Sequence, residues 1–344
     1  RTRDLAFAHD LVHEVAYAGM VRDRRRALHA RAYDRLGAIY GEAAPEHAAM
    51  FYRHASAAAR WLPAARHARA AAARSIEASA YRQAARHYED ALQALDHLDR
   101  TRETIELAID IRLESRVAYG ATADLDRLLA HATDAAQAAE AIGDVKRALV
   151  ASIHRASALN YLGSAPEAVA AGRSALAGAR AAGLPPLVML AQYINGQALY
   201  AAGEFRAAAT LLAPACDALQ GAQRLSRLGT TGTTLVLFQV MRALAHASMG
   251  EFGTAEACAG VAAQVAAETG RPYDIIASGY ATGVTRLYQG AADRAIAAME
   301  PAVELLRQHE IRLFMPVLAG QLGAARVLAG EPQAAMSLLA EALA

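Results

Sequence analysis

The chain has 344 residues, of which 55% are hydrophobic and only 6% are aromatic. Alanine is the main hydrophobic residue, which favours closely packed helices, because a sheet would need more Val, Ile and aromatic side chains. The formal net charge of +1 argues against a nucleic-acid-binding footprint or an acidic tail.

The residues before position 60 hold the first candidate site, in the stretch FAHDLVHEVAY from 7 to 17. His9 and His13 stand four apart, so in a helix they share one face, as a pair of metal ligands would. A zinc site needs three or four ligands, however, and Glu14 lies off that face. We therefore predict no metal here, and a surface role for His13 and Glu14.

A basic amphipathic helix is predicted over 21–36, where Arg24, Arg25 and Arg26 follow one another. Such a run is either a solvated face or a docking face for another domain, and the sequence leaves both open. The histidines further on are predicted to be solvated or to cap helices, because they are scattered among Arg and Glu. They are His54, His67, His87 and His97.

An internal repeat of about forty residues fills most of the chain. Small residues recur at predicted turns with steps of 41, 43, 40, 47, 40 and 40, and most of them are glycines. These turn residues are Ser79, Gly120, Gly163, Gly203, Gly250, Gly290 and Gly330. Each is predicted to end a helix in a left-handed backbone conformation, after which a second helix folds back.

Small residues also recur at fixed distances from each turn. Ala168 and Ala175 follow Gly163 by five and twelve residues, and Ala208 and Ala215 follow Gly203 in the same way. The two positions differ by seven, or two helical turns, so they share one face of the second helix. A further small residue, such as Gly196, precedes most turns by seven. A helix pair with such a face must stack on its neighbours.

This register of small residue, turn glycine, Ala and Ala resembles the tetratricopeptide repeat. An aromatic residue two positions after the turn also fits at Tyr81, Phe205 and Phe252, although the other repeats depart from it and the usual period is about 34 residues. The resemblance implies an all-α fold, a right-handed solenoid of antiparallel helix pairs over 61–344. The step of 47 holds an insertion at 221–234, whose Gly, Thr and Ser content predicts a loop.

The N-terminal third resembles a particular junction. FAHDLVHEVAY, then RRRALH at 24–29, RHA at 53–55 and AYRQAARHYEDAL at 80–92 are similar to the join between a winged-helix end of an NTPase module and its repeat array. STAND-class signalling ATPases, including large LuxR-type transcriptional regulators and cyclase-linked proteins, carry this join. The resemblance implies a helical junction over 1–60, with His9, Arg24, Arg25 and Arg26 at the NTPase boundary. Since the chain begins at Arg1 with a motif at residue 7, we expect a piece of a longer protein.

No catalytic motif is found in the sequence. The single lysine, Lys146, is followed by Arg rather than standing in a GK[ST] loop, so no phosphate cradle is predicted. There is no GxSxG elbow either. We expect no enzyme activity, no cofactor and no binding of ATP by the chain itself.

The cellular location of the protein is predicted from its cysteines and from the lack of a signal sequence or an apolar segment. Cys216 and Cys258 have no metal-ligand spacing and are predicted to be buried thiols in a reducing compartment. No secretory signal and no apolar stretch of about 18 residues stand out. We expect a cytoplasmic protein with no membrane contact and no direct contact with nucleic acid.

The candidate binding surface is the face lined by the first helix of each pair. Positions ten, six, three and two before the turn glycine are predicted to lie there, and tyrosine is common among them. They give Asn160, Tyr161, Tyr193, Gln197, Tyr200, Tyr280 and Tyr288. Tyrosine offers a flat apolar face with a hydrogen-bonding tip, which suits peptides and small ligands. Tyrosine also packs between repeat helices, and the sequence leaves both roles open.

Two functions fit these patterns. The first is a ligand- or partner-binding sensor arm of a signalling ATPase, most plausibly a transcriptional regulator, whose partners are its own NTPase module and a protein, peptide or small-molecule inducer. The second is a free-standing scaffold that binds peptides or partner proteins. In either case, Tyr200→Ala is expected to weaken binding with little loss of stability.

Overall fold

The computed structural model describes residues 15, 17–41, 44–78, 80–227, 232–309, 311 and 314–343. Within these ranges the chain forms sixteen α-helices and two short 3-10 helices, with no strand. The predicted all-α fold class is confirmed.

The α-helices are numbered here in chain order. In the N-terminal part they are α1 Arg22–Tyr40, α2 Ala48–Ala57, α3 Trp61–Glu77, α4 Tyr81–Leu95 and α5 Arg102–Thr122. They continue as α6 Leu125–Ala141, α7 Val145–Tyr161, α8 Ala165–Ala181, α9 Pro185–Ala201, α10 Phe205–Ala218 and α11 Thr234–Ser248. The last five are α12 Phe252–Thr269, α13 Pro272–Tyr288, α14 Ala292–Gln308, α15 Met315–Leu328 and α16 Pro332–Leu343.

The helices group into two compact units, residues 1–118 and residues 119–344, and the division falls within α5. This division follows from the contacts between residues, and it differs from the boundary at residue 60 that the resemblance to an NTPase junction predicts. The predicted boundary describes similarity to other proteins rather than the compactness of this chain, so it stays a prediction.

The turns of the C-terminal unit have the predicted backbone. Five of the predicted turn glycines have φ between 75° and 84°, a region that costs glycine little and other residues more. They are Gly163, Gly203, Gly250, Gly290 and Gly330. The prediction that Gly120 ends a helix is wrong, because Gly120 lies inside α5. The residue with a left-handed backbone there is Ala123, with φ 57°. Ser79 lies outside the described residues.

The small residues of the repeat allow close contact between the two helices of a pair. Ala168, Ala208 and Ala255 are fully buried. At Gly283 in α13, an added Cβ would lie 2.2 Å from Cγ of Met299 in α14. At Gly196 in α9, it would lie 2.9 Å from the side chain of Leu212 in α10. Small side chains are needed here because the neighbouring helix already fills the space.

Alternate helices of the C-terminal unit also touch. The first helix of each pair contacts the first helix of the next, in the series α7, α9, α11, α13 and α15. We call the surface that these first helices share the inner face. Because the same position recurs in each helix, residues of successive repeats are brought side by side there.

The insertion after α10 is more ordered than a plain loop. Residues Gly221–Leu225 form a 3-10 helix, and Arg224 forms a bidentate ion pair with Glu268 at 2.6 and 2.7 Å. The carboxylate of Asp274, which is fully buried, accepts hydrogen bonds from the Thr233 amide at 2.7 Å and from the Thr233 hydroxyl at 2.5 Å. The insertion is therefore tied to the start of α13; residues 228–231 lie outside the description.

The histidines of the N-terminal unit are predicted to be solvated or to cap helices, and the structure agrees only in part. His67 stacks on the buried Phe51 ring at 4.9 Å, with Nε2 3.0 Å from the Tyr33 hydroxyl. His97 stacks on Trp61 at 3.9 Å. The predicted solvated role is therefore wrong for the half-buried His67, whereas His97 is exposed as predicted even though its ring stacks on Trp61. His87 is half-buried, with Nδ1 3.7 Å from the Asp90 carboxylate.

His54, the fourth predicted histidine, contacts His29, and the two rings join α1 to α2. Their Nδ1 atoms are 2.9 Å apart, and Nε2 of His29 is 2.8 Å from the Tyr17 hydroxyl. One Nδ1 must donate and the other accept, so the contact requires at least one neutral ring. Burial lowers the pKa of both histidines, and the nearby Arg53 guanidinium lowers both further.

We expect the contact of α1 with α2 to weaken in acid. The folded pKa values lie below the ordinary value of 6.5, so as the pH falls the unfolded chain takes up protons first. The stabilisation is present above about pH 6.5 and is lost below it. Amide hydrogen exchange in α1 should be faster at about pH 5.5 than at about pH 7.5, after correction for intrinsic rates. In H54N this extra pH dependence should shrink; an unchanged dependence would contradict the assignment.

Cys216 and Cys258 are both buried free thiols, as predicted. Burial raises the pKa of Cys216 to about 11, so this thiol is protonated and poorly reactive at neutral pH. Among the described helices, none combines the length and apolar character that a membrane span requires.

Candidate binding surface on the inner face

Two of the predicted tyrosines are exposed at the ends of first helices. Tyr161 in α7 and Tyr288 in α13 each precede a turn glycine by two residues, and they are 41% and 42% exposed. The repeat therefore places them at equivalent positions at the rim of the inner face.

Tyr193 and Gln197 in α9 are joined to each other. The Gln197 side-chain amide donates a hydrogen bond of 3.0 Å to the Tyr193 hydroxyl, and the Tyr193 ring stacks on Phe238 of α11 at 5.8 Å. Burial raises the pKa of Tyr193 well above its usual value, and electrostatic interactions with Tyr273 and Tyr161 contribute.

Tyr200 bridges three first helices. The Ser248 hydroxyl of α11 donates a long hydrogen bond of 3.4 Å to the Tyr200 hydroxyl. Burial raises the pKa of Tyr200, and interaction with the Tyr288 hydroxyl of α13 raises it further. Its ring packs on Phe205 at 5.3 Å and against the buried core. Because this ring contributes to packing, we now expect Tyr200→Ala to lower stability as well as to weaken binding.

Tyr280 lies beneath the surface rather than on it. It is only 6% exposed, and its ring meets Phe314 edge-on at 5.2 Å. Its spacing from Gly290 matches that of Tyr193 from Gly203, but Phe314, in the connection before α15, covers it. This covering contact could not be read from the repeat register.

Asn160 lies just below the surface of α7. Its Oδ1 is buried and has no hydrogen-bond partner among the described residues. A buried acceptor without a donor costs about 1–3 kcal/mol. Asn160 lies one residue before the exposed Tyr161, so the unmet acceptor and the exposed ring are neighbours on α7.

Sequence reasoning missed two residues of this surface. Tyr273 in α13 is close to Tyr193, and Ser248 in α11 is bonded to Tyr200. Ser248 precedes Gly250 by two residues, so the register places it with Tyr161 and Tyr288. Tyr273 precedes Gly290 by seventeen residues, where the repeat pattern gives no signal.

Charge is sparse along the middle of the inner face. Helices α9, α11 and α13 contain three Asp, Glu, Lys or Arg residues between them: Arg242, Asp274 and Arg286. Asp274 is buried against Thr233 of the insertion, and Arg286 is ion-paired with Glu256. Within the described ranges, no cluster of three His, Cys, Asp or Glu could hold a metal ion. The surface is suited to an uncharged segment that offers apolar groups and hydrogen bonds.

The arginines predicted at the NTPase boundary have different surroundings in the structure. Arg24 is exposed, the Arg25 guanidinium lies over the Tyr17 ring at 5.4 Å, and Nε of Arg26 donates to the Ala58 carbonyl at 3.1 Å. Arg26 therefore helps to hold α1 against the end of α2. His9 lies outside the described residues.

Comparison with solved structures supports the helical-repeat fold. A Rap protein crystallised with competence and sporulation factor aligns with a TM-score of 0.61 at 14% identity, over 93% of this chain and 99% of that chain. A plasmid Rap conjugation gene regulator in complex with a Phr peptide aligns with a TM-score of 0.64 at 16% identity, over 82% and 73%. Aspartyl phosphate phosphatase F from Bacillus subtilis aligns with a TM-score of 0.64 at 14% identity, over 90% and 73%.

No protein-family model matches the sequence, and no curated protein is similar to it at a significant level. At identities this low, the likeness to the Rap structures concerns the fold alone. That fold is a tetratricopeptide-like array of helix pairs.

Proposed function

We propose that this chain is a non-catalytic binding arm that takes a peptide or a segment of a partner protein on its inner face. The observation that carries the proposal is the set of exposed and partly buried tyrosines on α7, α9 and α13. Two of the structures with the same fold were solved in complex with a Phr peptide or with competence and sporulation factor.

The chemical groups on this surface restrict the kind of ligand that could bind there. The first helices α9, α11 and α13 offer phenol rings, the Gln197 amide and few charges, and α7 adds the exposed Tyr161. An uncharged peptide segment supplies apolar side chains for the rings and backbone groups that can bond to the exposed Tyr161 and Tyr288 hydroxyls. A small-molecule inducer with the same groups would use the same contacts.

In the fuller form of the proposal, the chain is the sensor arm of a multidomain signalling ATPase, such as a LuxR-type transcriptional regulator in the cytoplasm. Ligand binding on the inner face would shift a population of closed and open states through the contact of residues 1–60 with the NTPase module. The resemblance of residues 5–95 to such a junction supports this form. An upstream Walker A module in the gene would agree with it, whereas a start codon directly before Arg1 would favour a free-standing scaffold.

Peptides selected from a random display library against the wild-type protein provide the test of inner-face binding. Replacing Tyr161 and Tyr288 together by Ala should weaken binding of the selected peptides by about 5- to 150-fold, because we expect the two aromatic anchors to contribute about 1–3 kcal/mol between them. Fluorescence anisotropy with the labelled peptides measures the change.

The matched control is Tyr40→Ala, since Tyr40 is 48% exposed but lies on α1 in the N-terminal unit. It should leave the dissociation constants unchanged. If Y161A/Y288A binds every selected peptide as tightly as the wild type does, the inner-face proposal is wrong.

A further inference from the structure

The outward side of α1 carries a regular stripe of residues. Arg24, Leu28, Arg31, Arg35 and Ile39 stand at intervals of four, three, four and four, so they share one face of the helix. Tyr33, which is 2% exposed, lies on the opposite side. We call these five residues the outward stripe.

The outward stripe is exposed and its charges are unbalanced. The three arginines are exposed and form no ion pair or hydrogen bond with any residue that the structure describes. Leu28 is 41% exposed and Ile39 is 54% exposed. The stripe contains no acidic residue, and Asp34, elsewhere on α1, is already paired with Arg60.

This arrangement is unfavourable for an isolated helix. Arg31 and Arg35 are four apart, and a like-charge pair at that spacing destabilises a helix by about 0.2–0.5 kcal/mol. On α4, by contrast, the exposed arginines Arg82 and Arg86 share their side of the helix with Glu89. The outward stripe lacks such an acidic neighbour, so carboxylates from another molecule would balance its positive charge.

We propose that the outward stripe is a docking surface for an acidic protein partner, which presents two or three carboxylates around an apolar side chain. Arg24 and Arg35 are about 16 Å apart along the helix axis, a distance that one helix or loop of a partner can span. Each guanidinium can hold a carboxylate through two parallel hydrogen bonds, and Leu28 and Ile39 supply apolar contact between and beside the charges.

A protein fits this surface better than a nucleic acid. Phosphate binding typically uses a broad basic patch on a strongly basic domain, whereas this chain has a net charge of +1 and the stripe is one helix wide. Exposed Leu28 and Ile39 contribute nothing to a phosphate backbone but pack well against a protein. The docking surface is independent of the inner face, and it gives a sensor arm the second contact that it would need.

A synthetic helical peptide is the probe for this surface. It carries Glu at three positions spaced by seven and four residues with Leu between them, and a matched peptide carries Gln in place of each Glu. We expect the acidic peptide to bind the full chain at least about ten-fold more tightly than the amide peptide, a difference of about 1.4 kcal/mol. The affinity should fall between about 50 and 300 mM salt, because exposed charges are screened.

The variant R31E/R35E should weaken the acidic peptide at least about ten-fold, whereas R82E/R86E on α4 should change its affinity by less than about two-fold. All four side chains are exposed, so both variants should melt close to the wild-type temperature by circular dichroism. Peptides selected for the inner face should bind R31E/R35E normally, which separates the two proposals.

Equal affinity for the acidic and amide peptides, no binding up to about 1 mM, or full affinity in R31E/R35E would overturn the docking surface. Duplex DNA and vesicles containing phosphatidylserine are tested in parallel. If either binds more tightly than the acidic peptide and loses affinity in R31E/R35E, the partner is a nucleic acid or a lipid surface, and the proposal is wrong.

Discussion

Replacing Gly283 by Val should destabilise the protein by about 2–3 kcal/mol, the usual cost of adding atoms to a packed contact. Even a single Cβ at Gly283 would lie 2.2 Å from Cγ and 2.9 Å from the sulfur of the buried Met299, and 3.2 Å from the Ala295 carbonyl oxygen. The two γ-carbons of Val add to this clash, and α13 and α14 would have to move apart.

Thermal unfolding followed by circular dichroism measures the effect, which should appear as a loss of several degrees in Tm. Gly260→Ala in α12 is the control, because an added Cβ there meets nothing within 4 Å. It should stabilise the protein slightly, by up to about 1 kcal/mol, since Ala is the better helix former. If both variants have the wild-type Tm, then the contact of α13 with α14 does not require a small residue at position 283.

Replacing Asp274 by Ala should cost about 3–5 kcal/mol, because it leaves buried donors without an acceptor. The carboxylate accepts from the Thr233 amide at 2.7 Å, from the Thr233 hydroxyl at 2.5 Å and from the Thr269 hydroxyl at 2.9 Å. Asp274→Asn keeps the shape but replaces one acceptor by a donor, so its cost should be intermediate.

Equilibrium unfolding by urea measures these changes, and Asp217→Ala is the control, because Asp217 is exposed on α10. The control should stay within about 0.5 kcal/mol of the wild type. Freed from Asp274, the insertion should also be cut faster by trypsin after Arg224 or Arg227. Wild-type stability and cleavage in Asp274→Ala would show that the insertion is held by other contacts.

The array of helix pairs could be predicted from the sequence because its causes are local and repeated. A left-handed turn such as that at Gly203 needs glycine at one position, and close helices need small residues such as Gly283 and Ala295 at others. The same requirement recurs in each repeat, so weak signals reinforce one another. Where one repeat departs from the rule, as at Gly120, the register misplaces the turn by about one helical turn.

The candidate surface was predictable only in part. The register predicted that Tyr161 and Tyr288 line the inner face, and both side chains are exposed, although their role in binding stays a prediction. It could not show that Phe314 covers Tyr280, that Tyr193 stacks on Phe238, or that Asp274 holds the insertion. These contacts join residues some 34 to 45 positions apart, and they depend on how far neighbouring helices are rotated and shifted against each other. Local sequence patterns carry little information on that rotation, because several helix packings satisfy the same spacing of small residues. The large side chains select one of these packings, and they can do so only when the whole array is assembled.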